Sequence, residues 1–181
     1  MPRPLYFHPF NDHRHSTGIG LNVPSSLALR AMAPTVGYSG HAHYKYLWKM
    51  GAGSLTFQAY VAPADRIYVM GHCVANSNVL KTQVLVTGKC TDAKLANLFQ
   101  AHGLPAHSQA HIRILACNSA TPPVQVGAQI CFAERLKARM TGLGYAAVTV
   151  RGYDTPVGIH LGWQWAGLKF WESADSHAHD Y

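Results

Sequence analysis

Acidic residues are scarce in this chain of 181 residues: 8 Asp and Glu stand against 15 Lys and Arg, for a formal charge of +7. That shortage favours contact with something anionic, such as a phosphorylated ligand or an acidic protein surface. Clustering of the positive charge is also missing. Lys45 and Lys49, Lys81 and Lys89, and Arg135, Lys137 and Arg139 are scattered, and no zinc-finger, RNP or helix-turn-helix pattern accompanies them. Nucleic acid is therefore not the expected partner. The four cysteines, Cys73, Cys90, Cys117 and Cys131, lack the paired spacing of a disulfide or zinc framework. No apolar run is long enough to span a bilayer. The opening segment MPRPLYFHPFNDHRH has no apolar core of a secretory signal. The expected setting is the cytoplasm, or a target cell reached without a cleaved signal.

What is present is apolar. Hydrophobic residues make up 48% of the chain and charged ones 13%, which excludes a disordered protein. The length suits one core, so a single domain over residues 1–181 is expected. Residues 1–60 read as an N-terminal arm and irregular part, with a short helix capped at Ser25-Ser26 and ended by Pro34, and a strand over Ser54–Val61. The pattern sharpens from Arg66. Ile67–Met70 is a short β-branched and aromatic run suited to a strand buried on both faces. A loop and hairpin follow, and Thr91 then caps a helix carrying Leu95, Leu98 and Phe99, with Gly103 past its end. Ile112–Ala116 is a second strand. A second helix is expected from about Val124 to Thr141, with Phe132, Leu136 and Met140 on one stripe, then a third strand over Ala146–Val150. Strand, helix, strand, helix, strand implies an α/β fold with a mainly parallel sheet and right-handed crossovers, its helices on both faces. Residues 173–181 are polar and read as a frayed tail.

In such a sheet, chemistry collects beyond the carboxyl ends of the strands. His72 stands just past the end of one predicted strand and Cys117 just past the end of the next. Neighbouring strands lie about 4.8 Å apart, so the two side chains would open on one cleft. A thiol of ordinary pKa is mostly protonated at neutral pH, and the thiolate is the nucleophile. An adjacent imidazole takes its proton and later returns it to a leaving amine. The backbone N–H groups of Cys117 and Cys73 are the candidate donors to the tetrahedral oxyanion.

RIYVMGH, followed after a hairpin and helix by IRILACNSA, resembles the caspase–haemoglobinase fold of cysteine peptidases. The histidine precedes the cysteine by 45 residues (117 minus 72), near the spacing of about 50 known for caspases. CFAERLKARMTGLGYAAVTVRGY and GKCTDAKLANLFQAHGL are similar to segments of the cysteine peptidase domains of large bacterial toxins. The resemblance covers roughly residues 65–155, the expected catalytic core. It implies a caspase-like three-layer sandwich and a cysteine endopeptidase, or self-processing peptidase, working through an acyl-enzyme on peptide or protein substrates, as in a toxin or effector domain. No cofactor is required. An inositol phosphate activates the toxin domains through basic residues, and the charge of +7 is compatible with such an anionic activator, though no residue maps to it. Two departures stand out. Cys73 replaces the usual Gly after the histidine, and the caspase cysteine signature is matched only at Ala116-Cys117.

Arg151, Asp154 and Trp163, after the third strand, are candidate substrate-binding residues; Asp154 suits a basic substrate side chain, or simply a turn. Cys73, Cys90 and Cys131 read as structural thiols. His13/His15, His41/His43 and His177/His179 each make half a zinc site, with Asp12, Asp175 or Asp180 as a third ligand, but they fall in loops and termini and read as solvated. Arg135, Lys137 and Arg139 read as the solvated face of the second helix. The rival reading of the whole chain is a non-catalytic binding module on the same fold, recognising an anionic ligand or a protein partner.

Overall fold

The computed structural model describes residues 4–7, 66–73, 79–81, 89–122, 130–160, 163–166 and 174–181. The expected Ser25–Ala33 helix and Ser54–Val61 strand lie outside them, as do His13, His15, His41 and His43. The described chain contains strands β1 (Pro4–Phe7), β2 (Arg66–Met70), β3 (Val79–Lys81) and β4 (Lys89–Thr91), then helix α1 (Asp92–Ala101). Strand β5 (His111–Leu115), helix α2 (Phe132–Gly142) and β6 (Thr149–Tyr153) follow. The hairpin β7 (Val157–His160) and β8 (Trp163–Ala166), a 3₁₀ turn at Ala174–His177 and β9 (Ala178–Asp180) complete it.

Five strands form one sheet in the order β1-β2-β5-β6-β9. All neighbours are parallel except β9, which runs antiparallel to β6. The α/β class and the mainly parallel sheet are thus present. The expected hairpin is β3–β4, with Leu80 opposite Cys90.

Local chemistry explains the helices. Thr91 caps α1, its hydroxyl accepting from the Lys94 N–H at 3.1 Å. Gly103, at φ 74°, takes the left-handed conformation that lets the chain leave the helix. The second helix starts at Phe132, later than the expected Val124. Cys131 is its N-cap, the sulfur accepting from the Glu134 N–H at 3.4 Å. The third strand likewise begins at Thr149, because Ala146 and Ala147 are exposed in a turn.

In-register alternation divides the sheet. Ile67, Ile112 and Val150 form one row and Val69 and Ile114 the next, all fully buried. They share a face with Gly152, where a Cβ would meet the Ala133 Cβ of α2 at 2.7 Å. That close approach is why glycine stands there. Leu95 and Phe99 of α1 and Phe132, Leu136 and Met140 of α2 complete this core. Asp92 ties the helices together, its carboxylate 3.2 Å from both Arg135 and Arg139. Lys137 donates to the Ala146 carbonyl at 2.8 Å. Arg135 and Lys137 are therefore half-buried structural ties, while Arg139 remains on the solvated face as expected.

Two expectations change, and the described residues supply helices to one face of the sheet. Strand order advances in one direction from β1 to β6, so right-handed crossovers put α1 and α2 on the same face. A helical layer on the second face is not found among the described residues. Pro4–Phe7, read as part of an arm, is a strand at one end of the sheet among the described residues. The tail is not frayed: β9 pairs Ala178, His179 and Asp180 with Tyr153, Gly152 and Arg151. An edge strand held by main-chain hydrogen bonds and ion pairs needs no apolar alternation, so its sequence looks like a loop.

Candidate active site

The topology places the two chemically loaded strand ends side by side. Strands β2 and β5 are hydrogen-bonded parallel neighbours, and their last paired rung is Met70 opposite Leu115. His72 and Cys117 each stand two residues beyond that rung. The Gly71 N–H still reaches the Leu115 carbonyl at 3.4 Å. The backbone of His72 is then held by a reciprocal pair with Lys81 of β3, at 2.8 and 2.7 Å. The hairpin thus fixes where the histidine departs from the sheet.

Cys117 opens a tight turn. The Ala116 N–H bonds back to the Ile114 carbonyl at 2.8 Å, and Asn118 sits at φ 54°. Asn tolerates this left-handed conformation better than most side chains because its short amide bonds locally. Ser119, fully buried, stitches the turn from below. Its hydroxyl donates to the Ile114 carbonyl at 3.3 Å and accepts from the Tyr153 N–H at 3.1 Å, and its carbonyl accepts from the Ala133 N–H of α2 at 3.0 Å. Cys117 itself is half-buried, its thiol 3.7 Å from the Val157 carbonyl at the root of the β7–β8 hairpin. Cys117 as a residue is therefore not sealed in the core, unlike the other three cysteines.

The other thiols behave differently. Cys73, Cys90 and Cys131 are buried, as expected of structural cysteines. Burial, with added repulsion from Cys117 and then Cys131, pushes the Cys73 thiol up to about 12. Cys73 accordingly stays protonated at neutral pH. Cys90 is also pushed up to about 12, chiefly by burial. Of the amides near Cys117, that of Asn118 is committed to the Thr155 carbonyl at 3.1 Å.

Arg151 and Asp154 both turn out to be engaged by the C-terminal segment. Arg151 makes a two-pronged bond to Asp180, both contacts at 2.6 Å, and reaches Asp175 at 3.0 Å. Its pKa is raised first by that hydrogen bond to Asp180. Register places Tyr68, Arg113, Arg151 and Asp180 in one row across four strands, on the face opposite the helices. Arg113 lies over the Tyr68 ring at 5.8 Å and shares the same Asp175 oxygen at 3.5 Å. Two adjacent guanidinium groups would repel; the carboxylate between them offsets this. Asp154, in the bend after β6, accepts from His177 Nδ1 at 3.0 Å with one oxygen and from His179 Nε2 at 2.9 Å with the other. Those bonds, the His179 one first, lower its pKa below the usual 3.8. Both oxygens of the residue expected to meet a basic substrate are thus already occupied. Trp163 sits in β8, opposite His160 in the hairpin register.

The His177/His179 pair does converge on a carboxylate, but it is that of Asp154, whereas Asp175 and Asp180 serve the arginines. No group of three His, Cys, Asp or Glu suited to a metal ion occurs among the described residues. No described helix is long and apolar enough to cross a membrane. The sequence reading missed Ser119, the Asn118 turn and the two histidines on Asp154. CNSA following an apolar strand was the one available signal. No family model matches the chain, and no curated protein matches it.

Proposed function

We propose that the chain is a cysteine peptidase in which Cys117 is the nucleophile and His72 its acid–base partner, on a caspase-like three-layer α/β sandwich. The observation that carries the reading is the β2–β5 register, which brings both residues two positions past the same rung at the carboxyl edge. A half-buried thiol in a braced turn supports it, since a nucleophile must be held in place and still meet substrate. In the proposed reaction His72 accepts the thiol proton as sulfur attacks the peptide carbonyl. The Cys117 and Cys73 N–H groups receive the oxyanion, and the proton passes to the departing amine. Water then releases the acyl group. The chemistry calls for no cofactor, and an inositol phosphate or similar anion would act as an activator only.

Two measurements on the full chain test the reading. Cys117→Ala should abolish both peptide cleavage and labelling by a thiol-directed peptide probe while preserving the melting temperature. Undiminished labelling of the variant would move the reactive thiol elsewhere. Failure to turn over a broad peptide library, together with partner capture indifferent to Cys117→Ala, would favour the non-catalytic binding module.

A further inference from the structure

The turn that carries Cys117 does not stand alone: it leans on the segment after β6. The Ala120 N–H donates to the Tyr153 carbonyl at 2.9 Å, the Asn118 N–H to Thr155 at 3.1 Å, and the Thr121 hydroxyl to the Asp154 carbonyl at 3.2 Å. With the thiol contact to Val157 and the Tyr153 N–H on the Ser119 hydroxyl, five residues of the turn bond to Tyr153–Val157. The position of Cys117 is therefore inherited from whatever fixes that segment.

What fixes it is the C-terminal strand, through Asp154. The Asp154 N–H donates to the His177 carbonyl at 3.2 Å. Its two carboxylate oxygens take one imidazole each, from residues two apart along the chain. Asp154 thus has its backbone carbonyl on the nucleophile turn, and its amide and side chain on the C-terminal segment. Hydrogen bonds to a carboxylate are roughly twice as strong as neutral ones. The Tyr181 phenol flanks the same region, 3.2 Å from the Cys131 sulfur at the start of α2.

We propose that Asp154 is a positioning residue for the Cys117 turn, clamped by His177 and His179, and that the segment Ala174–Tyr181 is part of the functional site. This rests on Cys117 being the reactive thiol, and it replaces a substrate-recognition role for Asp154. Loss of the clamp loosens residues 153–157 and, with them, the geometry of the sulfur. Helices α1 and α2 stay as they were.

The test is the rate at which iodoacetamide alkylates Cys117 in the full chain, with the modified cysteine identified by peptide mass spectrometry. It needs no peptide turnover, so it separates this inference from the peptidase assignment. Asp154→Asn and the double variant His177→Ala/His179→Ala should each change the rate by about threefold to tenfold, as loss of charge-assisted hydrogen bonds implies. Combining them should add little, because both break one link. Asp154→Glu, which keeps the carboxylate, should restore the rate to within about twofold of the original, a rescue judged against the cost of one such bond. Melting curves of the same samples exclude global unfolding as the cause. An unchanged rate in Asp154→Asn, fully additive effects, or no rescue by Glu overturns the proposal. Wild-type alkylation without any peptide cleavage would instead sink the peptidase reading and leave the clamp standing.

Discussion

The two faces of the central sheet are built on different principles. On one, Ile67, Val69, Ile112, Ile114 and Val150 vanish beneath α1 and α2. On the other, beside the buried Tyr68, Leu115 and Tyr153, a charged row of Arg113, Arg151 and Asp180 runs across three strands. The same period-two alternation produces both. The apolar face holds the fold together, because burial of branched and aromatic side chains contributes about 1.5–3 kcal/mol each. The polar face and the carboxyl edge anchor a short C-terminal strand whose bonds are mostly solvent-exposed, where ion pairs contribute little stability. The helix-covered face is thus expected to carry more of the stability than the C-terminal strand.

That comparison breaks most visibly at the core. Phe132→Ala, at a fully buried position on the α2 stripe, should cost about 3–5 kcal/mol in denaturant unfolding. A loss below about 1 kcal/mol, the range of an exposed surface change, would mean that the helices do not carry the stability. Arg151→Ala on the opposite face should cost less than about 1 kcal/mol, since Asp175 and Asp180 are more than half exposed. It should still speed hydrogen exchange at β9 amides well before those of β5. Equal loss of protection in both strands would erase the proposed division of labour.

The smallest effect is in acid. Asp154 and Asp180 both titrate below the ordinary 3.8, Asp154 first because of His179 and Asp180 first because of Arg151. The unfolded chain therefore takes up these protons more readily than the folded one. Their stabilisation is present above the ordinary value and is lost as pH falls through the lowered ones. Unfolding midpoints should drop below about pH 4, the ordinary carboxylate range. The drop should be shallower in Arg151→Ala, where Asp180 has lost its partner. An identical acid profile in wild type and variant would show that the pair does not matter to stability.

Much of the core was legible in residue order. Thr91 as a cap, Gly103 past the helix end, the Phe132–Leu136–Met140 stripe and three strands between Arg66 and Tyr153 all follow from local rules. Those rules depend only on neighbours within a turn or a strand. Boundaries slipped where local signals compete: Cys131 is an unusual helix cap, and Ala146-Ala147 form a turn although they adjoin a β-branched run. The strands β1 and β9 stayed hidden because main-chain pairing to a distant strand leaves little mark on their own composition. Within the site, the importance of strand ends was readable, but the engagement of Arg151 and Asp154 by the C-terminal segment was not.

Residue order alone determined that the chain folds around an apolar α/β core and that a histidine and a cysteine follow two of its strands. Periodicity and capping act over a few residues, so they are written locally. The tertiary structure decided that those two strands are neighbours in register, that both described helices share a face, and that two late histidines reach Asp154. Such facts come from pairing between segments far apart in the chain, where hydrogen-bond register and charge, rather than local propensity, select the partner.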